Sequence, residues 1–154
     1  MEPRNPFPTV DVIVQRENKV LMVRRGKDPF QGQLALPGGF INRGETAESA
    51  AAREVHEETG LEVEPIEILG VYSDPKRDPR GHMMSTVFVA IILGGNAKAG
   101  DDAAELEWVS IDDLRDPSLA RKHKFAFDHG LILRDYFQWK EAGGTYWSSK
   151  RRSI

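Results

Sequence analysis

The sequence predicts an α+β domain, on three observations. β-Branched segments of strand length recur along the chain, among them "TVDVIVQ", "KVLMVRR", "LEVEPIEILGVYSD" and "MSTVFVAIIL". The stretch Thr46 to Gly60 has helical periodicity instead and carries three glutamates in the five positions 54 to 58. The length of 154 residues, 40% hydrophobic and 29% charged, suits one core and leaves little room for a second, so residues 1–154 read as one domain.

Taken in order, "MEPRNPFP" holds three prolines and two charges, which fits neither a signal peptide nor a transit helix. "TVDVIVQRENKVLMVRR" reads as a hairpin turning at Glu17-Asn18-Lys19. In "GKDPFQGQLALPGGF", glycine and proline punctuate the short apolar Leu34-Ala35-Leu36, which predicts a strand edge and loop. The helix is expected to start after Thr46 as N-cap and to stop at Gly60, a residue suited to the left-handed position that ends helices. Two further strands flank the polar loop "PKRDPRGH". "DDAAELEW" reads as a polar loop holding Glu105 and Glu107, and "LEWVSIDDL" as a strand running into a turn. A C-terminal helix is predicted from Phe125, and the basic tail 148–154 is expected to fray. The histidines are scattered, and His129 is expected to sit on the surface or pack a helix rather than hold a metal.

Composition excludes several classes of function. A net charge of −3 gives nucleic acid or an anionic membrane no electrostatic footing. The absence of cysteine removes disulfides, thiolate metal sites and thiol nucleophiles, and suits a reducing, cytoplasmic compartment. The longest apolar run, "VFVAIIL", is far shorter than the ~20 residues that span a bilayer, so no membrane partner is expected.

The predicted helix poses the chemical question. Glu54, Glu57 and Glu58 are spaced i, i+3 and i+4 and share one face. Ala47, Ala50, Ala51 and Val55 lie on the half that also carries Glu54 and Glu58, whereas Ser49, Ala52 and His56 point away. Carboxylates that close, facing inward or into a groove, must share protons or take a cation between them. Glu54 and Glu58, one turn apart, suit Mg²⁺, which takes oxygen ligands and is commonly held by one or two carboxylates plus phosphate oxygens; Glu57 is a third ligand candidate. Arg53 stands i, i+4 from Glu57, either as a surface ion pair or orienting that ligand.

Residues 39–61, "GFINRGETAESAAAREVHEETGL", resemble the signature of the Nudix hydrolases, meeting its fixed positions with Gly39, Glu45, Arg53, Glu54, Val55, Glu57, Glu58, Gly60 and Leu61. The resemblance implies a mixed β-sheet sandwiched between helices, an α/β/α arrangement. It also implies hydrolysis of a nucleoside diphosphate linked to another moiety, with Mg²⁺, or Mn²⁺ in its place, held by Glu54, Glu57 and Glu58. By analogy a backbone carbonyl of Gly38 or Leu36 joins them, with Gly39, Glu45 and Gly60 shaping the box and Arg53 counted among the substrate-binding residues. The general base is left between Glu54, with Glu58 as its catalytic neighbour, and a glutamate outside the box, for which Glu105 is the first candidate.

"SDPKRDPRGH" is similar to the corresponding segment of ADP-ribose pyrophosphatases, and implies cleavage of ADP-ribose to AMP and ribose 5-phosphate. Arg77 and Arg80 supply two guanidinium forks for a diphosphate or ribose. The alternatives are a hydrolase of nucleoside triphosphates or dinucleoside polyphosphates, and a non-catalytic ADP-ribose sensor. Related hydrolases are commonly homodimers, which sets the same expectation here.

Overall fold

The computed structural model describes residues 4–100 and 103–152, the side chains of residues 103 and 104 excepted. Strands β1 (Phe7–Arg16) and β2 (Lys19–Arg25) form the expected hairpin, with Gln15 opposite Val20 and Glu17 in the left-handed region at its turn. Strands β3 (Leu34–Ala35) and β4 (Gly38–Phe40) follow, then helix α1 (Ala47–Thr59), β5 (Leu61–Tyr72) and β6 (Met83–Gly95). The chain continues through β7 (Ala103–Ser110), α2 (Ile111–Arg115), α3 (Pro117–Ala120), α4 (His129–Ala142) and β8 (Tyr146–Trp147). The sheet is mixed: its order is β3-β2-β1-β6-β5-β8, with β4 also on β1 and β7 also on β2. The pairs β1–β6 and β5–β8 are parallel and the others antiparallel.

Alternation along β1 builds the three layers. Val10, Val12 and Val14 point to one face and pack with Ala50, Ala51 and Val55 of α1. Ile13 points to the other face, into a cluster with Ile132, Leu133, Tyr136 and Phe137 of α4. With side chains of a strand alternating at period two, Asp11 is carried to the α4 side, in the middle of the sheet. The arrangement is the expected α/β/α sandwich.

Helix α1 keeps its predicted bounds because both ends are capped. The Thr46 hydroxyl accepts from the Ser49 amide at 3.1 Å, and Gly60, at φ 77°, ends the helix in the left-handed conformation.

Four expectations are corrected. Gly38–Phe40 is a strand, not loop: a Cβ on Gly38 would lie 2.1 Å from the Val10 carbonyl oxygen, so glycine permits the approach to β1 while erasing the usual strand signal. Glu105 and Glu107 lie within β7, paired opposite Arg24 and Met22 of β2, rather than in a loop before it. The C-terminal helix starts at His129: the Ala126 amide bonds to Leu34, Phe127 is left-handed, and the Asp128 carboxylate is taken by Arg77 instead of capping. The tail does not fray through residue 152, since Ser148 and Arg152 are bonded to Ser73 and Asp135; Ser153 and Ile154 lie outside the described residues. No helix among the described residues is long and apolar enough to cross a membrane.

Candidate active site

A cavity of about 380 Å³ opens between the glutamate face of α1, the β3–β4 turn and the loop from Ser73 to His82. Glu54 and Glu58 line it together with Arg25 and Arg80, and Asp11 and His129 are also in the wall. The inward orientation of the two glutamates follows from α1 itself, since burying Ala51 and Val55 brings Glu54 and Glu58, one turn apart, to the edge of the buried stripe.

Gly38 and Gly39 are what lets β4 approach these carboxylates. The Gly38 amide donates to Glu58 Oε2 at 3.3 Å, and a Cβ on Gly39 would sit 2.6 Å from the Glu54 carboxyl carbon. Burial first, then the neighbouring Glu54, pushes the Glu58 carboxyl up to about 8, and burial raises Glu54 as well. Both carboxyls therefore resist ionising together until positive charge arrives. A divalent cation fits that donor set: two converging carboxyl groups on a rigid helix, beside backbone that no Cβ screens. No group of three or more His, Cys, Asp or Glu among the described residues is already gathered about a metal position, so substrate phosphate oxygens and water would have to complete the shell.

Arg53 organises the helix face without lining the cavity. Its guanidinium forks onto Glu45 at 2.7 and 2.8 Å, and reaches Glu54 at 2.9 Å and Glu57 at 3.2 Å. Hydrogen bonds from Arg53 and the Asn42 amide lower the Glu45 carboxyl to about 2. Glu57 is 57% exposed at its side chain and stands outside the cavity wall, and Gly60 is a helix terminator. Glu105 is also outside: its carboxylate is 60% exposed and accepts from Arg24 Nε at 2.6 Å.

Of the two loop arginines, Arg77 is buried and already committed. It forks onto Asp128 at 2.9 and 2.6 Å and lies 3.6 Å from Asp11. Arg80 is more open: it pairs with Asp78 at 2.8 Å and its guanidinium stands 5.6 Å from the centre of the Phe127 ring. Arg25 covers the same ring at 4.9 Å, and burial followed by the nearby Arg80 charge lowers its pKa.

Asp11 and His129 are wall residues that the sequence reading missed or placed elsewhere. His129 is buried rather than superficial; its Nδ1 accepts from the Leu36 amide at 2.9 Å, and its Nε2 faces Asp11 Oδ1 at 3.4 Å. Burial works against ionising Asp11, but the neighbouring His129, then the Arg77 charge and the Ser85 hydrogen bond, prevail and hold it at about 2. The signal was present as one carboxylate inside the β-branched run "VDVIV", at a position that must face the core.

A model of the NUDIX domain matches residues 5–134. The chain belongs to the Nudix family. This Nudix chain is 48% identical over 136 residues to a protein of Methanocaldococcus jannaschii named ADP-ribose pyrophosphatase, a match covering 88% of this chain and 76% of that one. The MutT/nudix family protein of Enterococcus faecalis superposes with a TM-score of 0.77 at 31% identity, covering 92% of this chain and 64% of that one. A bifunctional NMN adenylyltransferase/ADP ribose pyrophosphatase of Francisella tularensis gives 0.73 at 26% identity, where the Nudix chain covers 43% of its partner in the comparison. The chain is thus a Nudix-family hydrolase.

Proposed function

We propose that the chain is a Mg²⁺-dependent pyrophosphohydrolase that cleaves ADP-ribose to AMP and ribose 5-phosphate. The observation that carries the reading is a cavity that gathers carboxylates and guanidiniums, the raised, half-buried Glu54 and Glu58 with Arg25 and Arg80, around a space sized for a nucleotide. The Methanocaldococcus relative supports the choice of substrate.

Glu54 and Glu58, with backbone at Gly38, would hold the cation, which when bound supplies charge neutralisation of the diphosphate. Arg80 and Arg25, also lining the cavity, neutralise and orient the phosphates. Arg53 braces Glu54 at the cavity edge and Glu57 on the exposed helix face beside it, and Arg77 fixes the loop that carries Arg80. Water attacks one phosphorus, the bond from that phosphorus to the bridging oxygen breaks, and an uncoordinated carboxylate oxygen of Glu54 or Glu58 takes the water's proton. Glu105 stands outside this scheme because its carboxylate lies away from the cavity and is bound by Arg24.

The same reading makes the protein a cytoplasmic homodimer. The exposed Ile66 and Ile68 of β5 and Ile91 and Leu93 of β6 give two copies an apolar surface to share, and light scattering at micromolar concentration checks it. The substrate is tested by chromatographic or phosphatase-coupled product assays over ADP-ribose, other nucleoside diphosphate derivatives and nucleoside triphosphates, with AMP and ribose 5-phosphate identified as products. Preference for a triphosphate by ten-fold or more in kcat/KM would overturn the ADP-ribose reading.

A further inference from the structure

A buried ion pair far from the glutamates is joined to the cavity by an unbroken chain of bonds. Asp135 of α4 is fully buried, and Arg152 forks onto it at 2.5 and 2.6 Å. The Tyr72 hydroxyl donates to the same carboxylate at 2.6 Å. The Arg152 guanidinium also donates to the carbonyl oxygens of Lys150 at 2.6 Å and Trp147 at 3.0 Å, so it folds the segment around itself. Just before that turn, β8 lies parallel to the end of β5, with Tyr146 against Gly70 and Trp147 against Val71. A Cβ on Gly70 would fall 1.9 Å from the Tyr146 carbonyl oxygen, so only glycine admits β8 there.

This arrangement delivers one side chain to a specific place. The Ser148 hydroxyl oxygen accepts from the amides of Ser73 at 2.9 Å and Asp74 at 3.1 Å, the first two residues of the loop that carries Arg77 and Arg80. The Ser73 carbonyl oxygen in turn meets His82 Nε2 at 2.9 Å, closing the base of the loop. Without Ser148 the two amides lose this acceptor, and the loop is left to the His82 contact on Ser73 and to Arg77 on Asp128 and Asp11.

We propose that segment 145–152 is a latch for the substrate loop, in which Arg152 seats the segment and Ser148 positions residues 73–82 against the cavity. Ser148 and Arg152 are positioning residues, acting through Arg80 rather than on the reacting atoms. The proposal rests on the pyrophosphohydrolase reading for its kinetic consequence but not for its structural one.

The test uses the full chain with Ser148→Ala, Ser148→Thr and Arg152→Ala. Hydrogen exchange of the loop peptide 73–82 should accelerate at least about 10-fold in Ser148→Ala and Arg152→Ala, with α1 exchanging as in the parent. On the best substrate of the panel above, KM should rise about 5- to 10-fold in Ser148→Ala, with kcat within about two-fold and Mn²⁺ affinity measured on the metal alone unchanged. Ser148→Thr, which keeps the hydroxyl, should restore both. Unchanged exchange in the loop overturns the latch, as does a parent-like KM in Ser148→Ala, or an equal loss of kcat, KM and metal affinity, which would mark general destabilisation. Failure of the parent to turn over ADP-ribose would instead overturn the substrate reading, while the exchange arm and the best substrate still judge the latch.

Discussion

Replacing Glu58 by glutamine should change how the metal-free protein responds to pH. The Glu58 carboxyl is raised from 4.5 to about 8, so between those values it keeps its proton in the folded protein while the unfolded chain releases it. The folded state then binds more protons, and stability falls as pH rises through that window. At about 1.4 kcal/mol per pH unit the full displacement corresponds to a ceiling of about 5 kcal/mol. Because the carboxyl lines an open cavity, about 2–3 kcal/mol is the expected loss. Urea denaturation in EDTA at pH 5 and pH 8 measures it directly. The parent should lose about 2–3 kcal/mol more than Glu58→Gln across the interval, and saturating Mg²⁺ should return stability at pH 8 by binding the ionised pair. Parallel pH profiles for parent and variant would refute the claim that burial and Glu54 hold this carboxyl protonated.

Other substitutions separate the roles of neighbouring residues. Glu54→Gln should fold normally and lower kcat at saturating Mg²⁺ by at least ~10²-fold, seen by steady-state AMP formation. Glu105→Gln should keep kcat within about two-fold and cost less than about 1 kcal/mol in urea, because only an exposed ion pair with Arg24 is lost. Gly39→Ala drives a Cβ into the Glu54 carboxyl, so titration with Mn²⁺ should show at least about 10-fold weaker binding with the fold retained. Arg77→Ala strips the guanidinium from Asp11 and Asp128 and should cost about 3–5 kcal/mol in urea unfolding, whereas Arg80→Ala, which takes a half-exposed arginine from the buried Asp78, should cost less and raise KM.

Local signals carried most of what was legible in the sequence. Thr46, Gly60 and the apolar face of α1 fixed that helix to its residue, and the i, i+4 spacing alone placed Glu54 and Glu58 on the inner side. β-Branched runs located the long strands. What escaped depends on partners distant in sequence. Gly38–Phe40 and Tyr146–Trp147 are strands only because β1 and β5 accept them, and neither has the length or composition to announce itself. The same holds for Arg77. Its sequence neighbours suggest a substrate contact, but Asp128, 51 residues away, claims its fork. Glu105 looked free in a polar loop until β7 paired with β2 and brought Arg24 alongside. His129 gave no hint, because its ring is defined by Leu36, 93 residues earlier.

The central place of β1 bears on how the protein folds. This strand feeds both apolar clusters and pairs in parallel with β6, so Asp11 meets Ser85 across a separation of 74 residues. Closing so long a loop costs entropy before any contact offsets it, which makes the β1–β6 pairing a slow step. The hairpin and α1 can form early from local contacts, yet neither apolar face is complete without β1. The two layers must therefore be gained and lost together, in one calorimetric transition. Catalytic competence should return on refolding with the last and slowest phase, since the floor of the cavity does not exist until the middle of the sheet does.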